Sequence, residues 1–200
     1  MKPLANPAPL GLAAFGMTTI LLNLCNAGFL PLNSSVLAMG LVFGGAAQIC
    51  AGLLEYPKGN TFGLTAFTSY GAFWISLVAL IFMAKLGLAA AATAPAMAAY
   101  LAVWGVFTAF MFIGTLRANR VLQFVFASLT VLFFLLAAGE ATGNVAITRF
   151  AGFEGLICGA SALYLAMAEV IEEQLGHAVL PVGAPPKVAA LHLAAERAAA

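Results

Sequence analysis

The sequence is poor in charged residues. Of its 200 residues only 8% are charged, Asp is absent altogether, and the formal net charge is +1. A protein that follows a phosphate backbone needs a surplus of Lys and Arg, which this chain does not have. We therefore expect no nucleic-acid partner.

Side chains for catalysis or metal binding are also scarce. His177 and His192 follow the last apolar run, while Cys25, Cys50 and Cys158 lie inside apolar runs with no CxxC or Cys/His spacing. Three cysteines in this arrangement support neither a disulfide framework nor a zinc site. With no Asp and only scattered Glu, few groups remain for acid–base chemistry. We expect no metal, no cofactor and no enzymatic activity.

Apolar residues, by contrast, make up 64% of the chain, and the mean hydropathy is +1.05. About 20 apolar residues cross the hydrocarbon core of a bilayer. That length divides the sequence into spans at about 9–30, 34–54, 61–84, 96–116, 121–139 and 147–171. The pattern predicts an all-α integral membrane protein of six transmembrane helices. Its permease domain covers 1–176, followed by a cytoplasmic tail over 177–200 that we expect to be mobile or weakly helical.

The distribution of Lys and Arg predicts the orientation, because these residues favour the cytoplasmic side. One side of the membrane holds Lys2, Lys58, Arg117, Arg120, Lys187 and Arg197, and the other holds Lys85 and Arg149. This asymmetry predicts a multi-pass protein of the inner, cytoplasmic membrane with both termini inside.

The first span begins with two prolines behind an asparagine, in the order Asn6, Pro7, Ala8, Pro9. An Asn side chain accepts hydrogen bonds from the free N–H groups of a first helical turn, and proline at the first helical position loses nothing. Such a start is either a plain helix cap or a mouth whose positive helix end attracts an anion.

Polar residues inside the spans are mostly uncharged, which suits a path for small polar solutes. Polar side chains that hold packed helices together would look the same. Glu154 is an exception within span 6. A carboxylate at this depth either marks function or reaches towards the membrane surface. Two glycine pairs, Gly40 with Gly44 and Gly155 with Gly159, have the spacing of close helix contacts, and we expect these contacts to lie within one chain.

Four segments together carry a resemblance to a known family. They are NPAPLGL at 6–12, EYPKGNTFGLTAFTSYGAFW at 55–74, LQFVFASLTVLF at 122–133 and GLICGASALYLA at 155–166. The chain from about 4 to 183 resembles the acetate uptake transporter family, and within it the bacterial succinate–acetate permeases.

The resemblance implies a homohexamer with a separate pore in each protomer, narrowed by Phe15, Tyr70 and Leu129. Helix starts at Pro7, Thr61 and Val121 would put these residues 8, 9 and 8 positions into their helices. At roughly 1.5 Å per residue, all three lie about 12–14 Å deep. Since the three helices run in one direction, their side chains are expected to form one ring.

Further pore-lining residues are predicted around this ring. Asn26, three helical turns past Phe15, would receive substrate on the outer side; Gly63 would keep the inner side open; and Ala162 would set the width. The complete predicted set is Asn6, Thr18, Asn23, Asn26, Gln48, Gly63 and Ala162.

The resemblance implies passage of acetate and related small carboxylates, succinate included, either channel-like or accompanied by a proton. We expect no buried Asp, Lys or Arg that could form a built-in proton relay. The alternatives are a channel for another small solute, such as urea, ammonia or lactate, and a membrane protein that senses acetate without moving it. Ammonia conduction would more naturally use a pore histidine, which the spans lack.

Overall fold

Six long apolar helices make up most of the chain that the structure describes. The computed structural model describes residues 4–183, so Lys2, Lys187, His192, Arg197 and most of the predicted tail lie outside the described residues. The helices are α1 Ala8–Asn26, α2 Ser34–Lys58, α3 Thr61–Lys85, α4 Ala94–Gly114, α5 Arg120–Thr142 and α6 Val145–Leu175. Each is long and apolar enough to cross a membrane. The expected all-α, six-helix membrane architecture is confirmed.

Short polar caps define where helices begin. One side chain before each of α2 to α6 accepts a hydrogen bond from a first-turn backbone N–H: Asn33, Asn60, Thr93, Asn119 and Asn144. Before α1, Asn6 Oδ1 accepts from Ala8 N at 3.3 Å, and Pro7 is the capping residue instead of the first helical one. These caps satisfy N–H groups that have no partner inside the helix.

The first helix ends earlier than predicted, at Asn26 instead of near residue 30. Gly28 has φ +88° and its N–H bonds to Cys25 O at 3.0 Å, while Phe29 N bonds to Leu24 O. This is a glycine C-cap that ends the helix, and Pro31 follows it.

A π-helical segment, Gly40–Ala47, interrupts α2 and was not predicted. An ideal Cβ on Gly45 would lie 2.6 Å from a carbon of Ile75, and one on Gly40 3.0 Å from Val78. The wider π turn therefore lies where α3 side chains press against bare backbone. Hydrophobic spacing alone carries no signal for such a segment.

The helices surround a common centre in chain order, and α6 closes the ring by packing on α1. Backbone contact is closest between α1 and α6. An ideal Cβ on Gly16 would lie 2.7 Å from Gly159 O, and one on Gly159 2.8 Å from Gly16 O. Gly155 packs against Asn23 and Gly44 against Thr18, so the predicted glycine pairs do make contacts within one chain.

The ring of helices is closed differently between α3 and α4, whose backbones stay farther apart. Large aromatic side chains fill this seam. Phe73 stacks on Tyr100 with ring centroids 5.8 Å apart and meets Trp104 edge to face at 5.2 Å. Ser76 Oγ and Tyr100 Oη share a hydrogen bond of 2.6 Å across it.

The chain after α6 returns to the bundle. Gly176 ends the helix with φ +74°, and residues 177–183 then run back to the start of α5. Val182 O accepts from Val121 N at 3.2 Å, and Tyr164 Oη donates to Pro181 O at 2.9 Å. This part of the predicted tail is therefore fixed to the bundle, because it satisfies first-turn N–H groups of α5.

The close α1–α6 contact predicts that a large side chain at position 159 destabilises the fold. Gly159→Leu should lower the free energy of unfolding by about 1–3 kcal/mol, since the new side chain must displace the Gly16 backbone. Thermal unfolding in detergent micelles measures the change. Ala160→Leu is the matched control, because Ala160 is exposed on the same helix. Equal midpoints for the two variants would contradict this packing.

Candidate permeation path

A cavity of about 270 Å³ opens at the end of the bundle where α1, α3 and α5 begin, here called the N-side. Most of its wall is apolar. The polar side chains that line it are those of Asn6, Gln48, Asn60, Tyr70 and Glu169.

The inner end of this cavity holds the three residues of the predicted ring. Phe15, Tyr70 and Leu129 all line the cavity and are 6%, 3% and 3% exposed. The rings of Phe15 and Tyr70 have centroids 6.0 Å apart. From the observed helix starts they lie 7, 9 and 9 residues in, or about 10–14 Å deep. The structure thus brings together the three residues that the family resemblance singled out.

The Tyr70 side chain is held firmly in place. Its hydroxyl donates to Thr108 Oγ1 at 3.0 Å, and that hydroxyl in turn donates to Trp104 O at 2.7 Å. Phe107 and Phe126 flank the Tyr70 ring at 5.6 and 6.0 Å. Its O–H is therefore turned into the α3–α4 seam, and the ring itself faces the cavity.

Charged and amide side chains connect three helices at the N-side mouth. Asn6 Nδ2 donates to Glu169 Oε2 at 2.9 Å, and Lys58 Nζ donates to Asn6 Oδ1 at 2.8 Å. We call Asn6, Lys58 and Glu169 the mouth triad. It joins the start of α1 to the ends of α2 and α6. Nothing in the sequence spacing pairs Glu169 with Asn6, a residue 163 positions away.

A second carboxylate near the mouth was also missed. Glu55 is fully buried, and its Oε2 accepts from Asn60 Nδ2 at 2.9 Å and lies 3.7 Å from Lys58 Nζ. An ideal Cβ on Gly63 would lie 2.9 Å from Glu55 Cγ. Gly63 lines the cavity as expected, but its lack of a side chain makes room for Glu55 behind it. The prediction had placed Glu55 in a connecting loop.

A separate cavity of about 210 Å³ lies on the other side of the ring, here called the far side. It shares no lining residue with the N-side cavity. Asn26, Trp74 and Glu140 contribute its polar atoms. Asn26 also donates to Asn23 Oδ1 at 3.0 Å. The structure thus places Asn26 beyond the ring, and its contact with substrate stays a prediction.

Three other predicted residues line neither cavity. Thr18 is buried against Gly44, Asn23 donates to Thr19 O at 2.9 Å, and Ala162 is fully buried. Glycines on the facing helices accommodate the Thr18 and Asn23 side chains in helix–helix contacts. The structure therefore gives them a packing position in place of the predicted pore-lining one.

Glu154 lies away from both cavities as well. It accepts a hydrogen bond from Ser128 Oγ between α6 and α5. Neither cavity includes it among its lining residues. Glu154 thus belongs to the contact between these two helices.

Known proteins are similar to this chain over most of its length. A model of the GPR1/FUN34/yaaH family matches residues 1–187. The succinate-acetate/proton symporter SatP of Escherichia coli K12 is 67% identical over 180 residues, covering 90% of this chain and 96% of that protein. Ammonia transport outward protein 2 of Saccharomyces cerevisiae is 35% identical over 178 residues, covering 85% of this chain and 63% of that protein.

A solved structure is similar throughout the bundle. The structure of the bacterial acetate channel SatP matches with a TM-score of 0.90 at 67% identity. The match covers 90% of this chain and 100% of that chain.

Removal of the Tyr70 hydroxyl should have a small, measurable effect on stability. Tyr70→Phe is expected to lower the free energy of unfolding by about 0.6–1 kcal/mol, typical of one hydrogen bond between membrane helices. A double-mutant cycle with Thr108→Val, followed by SDS titration in mixed micelles, isolates the bond. Tyr56→Phe is the control, because Tyr56 is 75% exposed. A coupling energy of zero would mean that the bond does not hold Tyr70.

Proposed function

The chain belongs to the GPR1/FUN34/yaaH family, and from this premise we propose that it moves acetate and related small carboxylates, succinate included, across the membrane. The path runs from the N-side cavity, through the ring of Phe15, Tyr70 and Leu129, to the far-side cavity. The observation that carries the proposal is the apolar ring between two cavities, in a chain 67% identical to a named succinate-acetate symporter. The named relatives are transporters and channels, not enzymes.

The ring selects by size and by hydration. Its three side chains are apolar at the surfaces they present, so a solute must shed water to pass between them. A two-carbon acid has little surface to desolvate, and longer acids need a wider opening. We therefore assign size selectivity to the ring and attraction of the solute to the polar atoms on either side.

Passage is channel-like or accompanied by a proton. An acid with a pKa near that of Glu, about 4.3, is neutral in only about one molecule in several hundred at pH 7. The carboxyl groups of Glu169 and Glu140 line the N-side and far-side cavities, whereas the ring between these cavities contains no carboxyl group. A proton that accompanies the solute is therefore assigned to the acid itself.

The protein is a multi-pass protein of the inner membrane. We propose further that both termini are cytoplasmic, as the Lys and Arg distribution predicts, and that six protomers assemble with one path in each. The family resemblance supports the hexamer. Multi-angle light scattering of the protein in detergent should give six protomers per particle, and a monomeric mass would refute the assembly.

Widening the ring should relax its size selectivity. In proteoliposomes, Phe15→Ala and Leu129→Ala should each raise the flux of labelled butyrate relative to acetate by about tenfold, because one methylene in a tight apolar site is worth about 1–3 kcal/mol. Phe110→Ala and Leu54→Ala are the matched controls, since these residues are 72% and 55% exposed on the outer surface. Unchanged selectivity in both ring variants would contradict the assignment of size selectivity to the ring.

The same liposomes separate the alternatives. Urea, lactate and ammonium belong in the panel, the last because a relative is named for ammonia transport. Faster flux of any of these than of acetate would favour a channel for that solute. Acetate binding by calorimetry without flux would favour a sensor.

A further inference from the structure

Gln48 differs from the other polar residues of the N-side cavity. Asn6 and Glu169 bond to each other, Asn60 bonds to Glu55, and Tyr70 donates to Thr108. The Gln48 residue is only 1% exposed, lines the cavity, and its Oε1 has no hydrogen-bond partner within residues 4–183. A buried amide without a partner is destabilising by about 1–3 kcal/mol, so it requires an explanation.

The position of Gln48 along the membrane normal matches that of the ring. It lies 10 residues before the N-side end of α2 at Lys58, which is about 15 Å at roughly 1.5 Å per residue. An ideal Cβ on Gly71, the residue after Tyr70, would lie 2.6 Å from Cγ1 of Ile49, the residue after Gln48. Gln48 therefore adds an uncharged polar group to the level of an otherwise apolar ring.

The π segment of α2 ends directly before this residue. The π-helical turns run over Gly40–Ala47, and the α-helix resumes at Gln48. A π turn contains an additional residue and so rotates the side chains that follow it, and such turns are frequent at functional sites. In this chain the α-helix that follows the π turn places the Gln48 amide at the cavity wall. The amide oxygen has no partner there, which is destabilising.

A second buried polar group without a partner lies on the far side of the ring. Trp74 is 3% exposed, lines the far-side cavity, and its Nε1 has no hydrogen-bond partner in the described part of the chain. It follows Tyr70 by one helical turn of α3. An ideal Cβ on Gly40 would lie 3.4 Å from Trp74 Cε3, so the edge opposite Nε1 is the one packed on α2.

We propose that Gln48 and Trp74 are the two hydrogen-bonding groups that receive the carboxylate on either side of the ring. A half-turn of the Gln48 carboxamide about its last side-chain bond exchanges the unpartnered Oε1 for an N–H group, which donates to the solute that leaves the N-side cavity. The Trp74 indole N–H receives the solute beyond Tyr70. Both donors are uncharged, so they replace part of the lost hydration without trapping the anion, as conduction requires. This inference rests on the proposed carboxylate transport.

Two near-isosteric variants test it. Gln48→Met and Trp74→Phe remove the donors and keep the apolar bulk of each side chain. Each should reduce acetate flux into proteoliposomes by about tenfold or more, the effect of a lost hydrogen bond to a charged group. The thermal midpoint of Gln48→Met should stay equal or rise, because an unsatisfied buried amide has been removed. A merely structural role for Gln48 predicts the opposite change in that midpoint.

Matched controls come from exposed residues. Gln174→Met changes an exposed residue at the end of α6, and Phe110→Leu changes an aromatic residue of α4 that is 72% exposed and lines neither cavity. Both should keep wild-type acetate flux. Wild-type flux in Gln48→Met and Trp74→Phe would overturn the inference, as would equal losses in the controls. If the wild-type protein itself moves no acetate, the proposed function fails instead, which the wild-type arm shows separately.

Discussion

The close approach of α1 and α6 is the contact on which the rest of the bundle depends. Gly16 and Gly159 let the two backbones meet, and this joins the last helix to the first. Lipid provides no hydrophobic drive for such a contact, so small residues must make it by shape. Once the ring of helices is closed, α1, α3 and α5 run in the same direction and can carry Phe15, Tyr70 and Leu129 to similar depth.

Polar groups in this protein have one of three situations. Some hold helices together, as Asn23 and Thr108 do; some connect helix ends, as the mouth triad does; and a few are buried without a protein partner, of which Gln48 and Trp74 line the cavities. In a low-dielectric interior the last situation is costly, which is why it is rare. Unpartnered groups beside a path are therefore more informative about solute recognition than the larger number of paired ones.

The number of helices and the depth of the ring were predictable because both follow from length and rise per residue. Apolar runs predicted the six spans. Counting from the helix starts gave a similar depth to Phe15, Tyr70 and Leu129, which the family resemblance had singled out. The azimuth of a residue was not predictable in the same way. Thr18 and Asn23 lie on the α1 faces that meet glycines of α2 and α6, and sequence spacing does not say which neighbour those glycines have. The π segment and the long-range bond between Asn6 and Glu169 depend on tertiary contacts and so leave no local pattern.

The two kinds of seam give the ring of helices an uneven stiffness. At the α1–α6 seam backbone meets backbone, so the helices cannot separate without losing contacts along their length. At the α3–α4 seam the contact is made by side chains, those of Phe73, Tyr100 and Trp104. Side chains change rotamer more readily than packed backbones part. The α3–α4 side of the bundle therefore adjusts more readily than the α1–α6 side, and Tyr70 bonds to Thr108 across that more adjustable side.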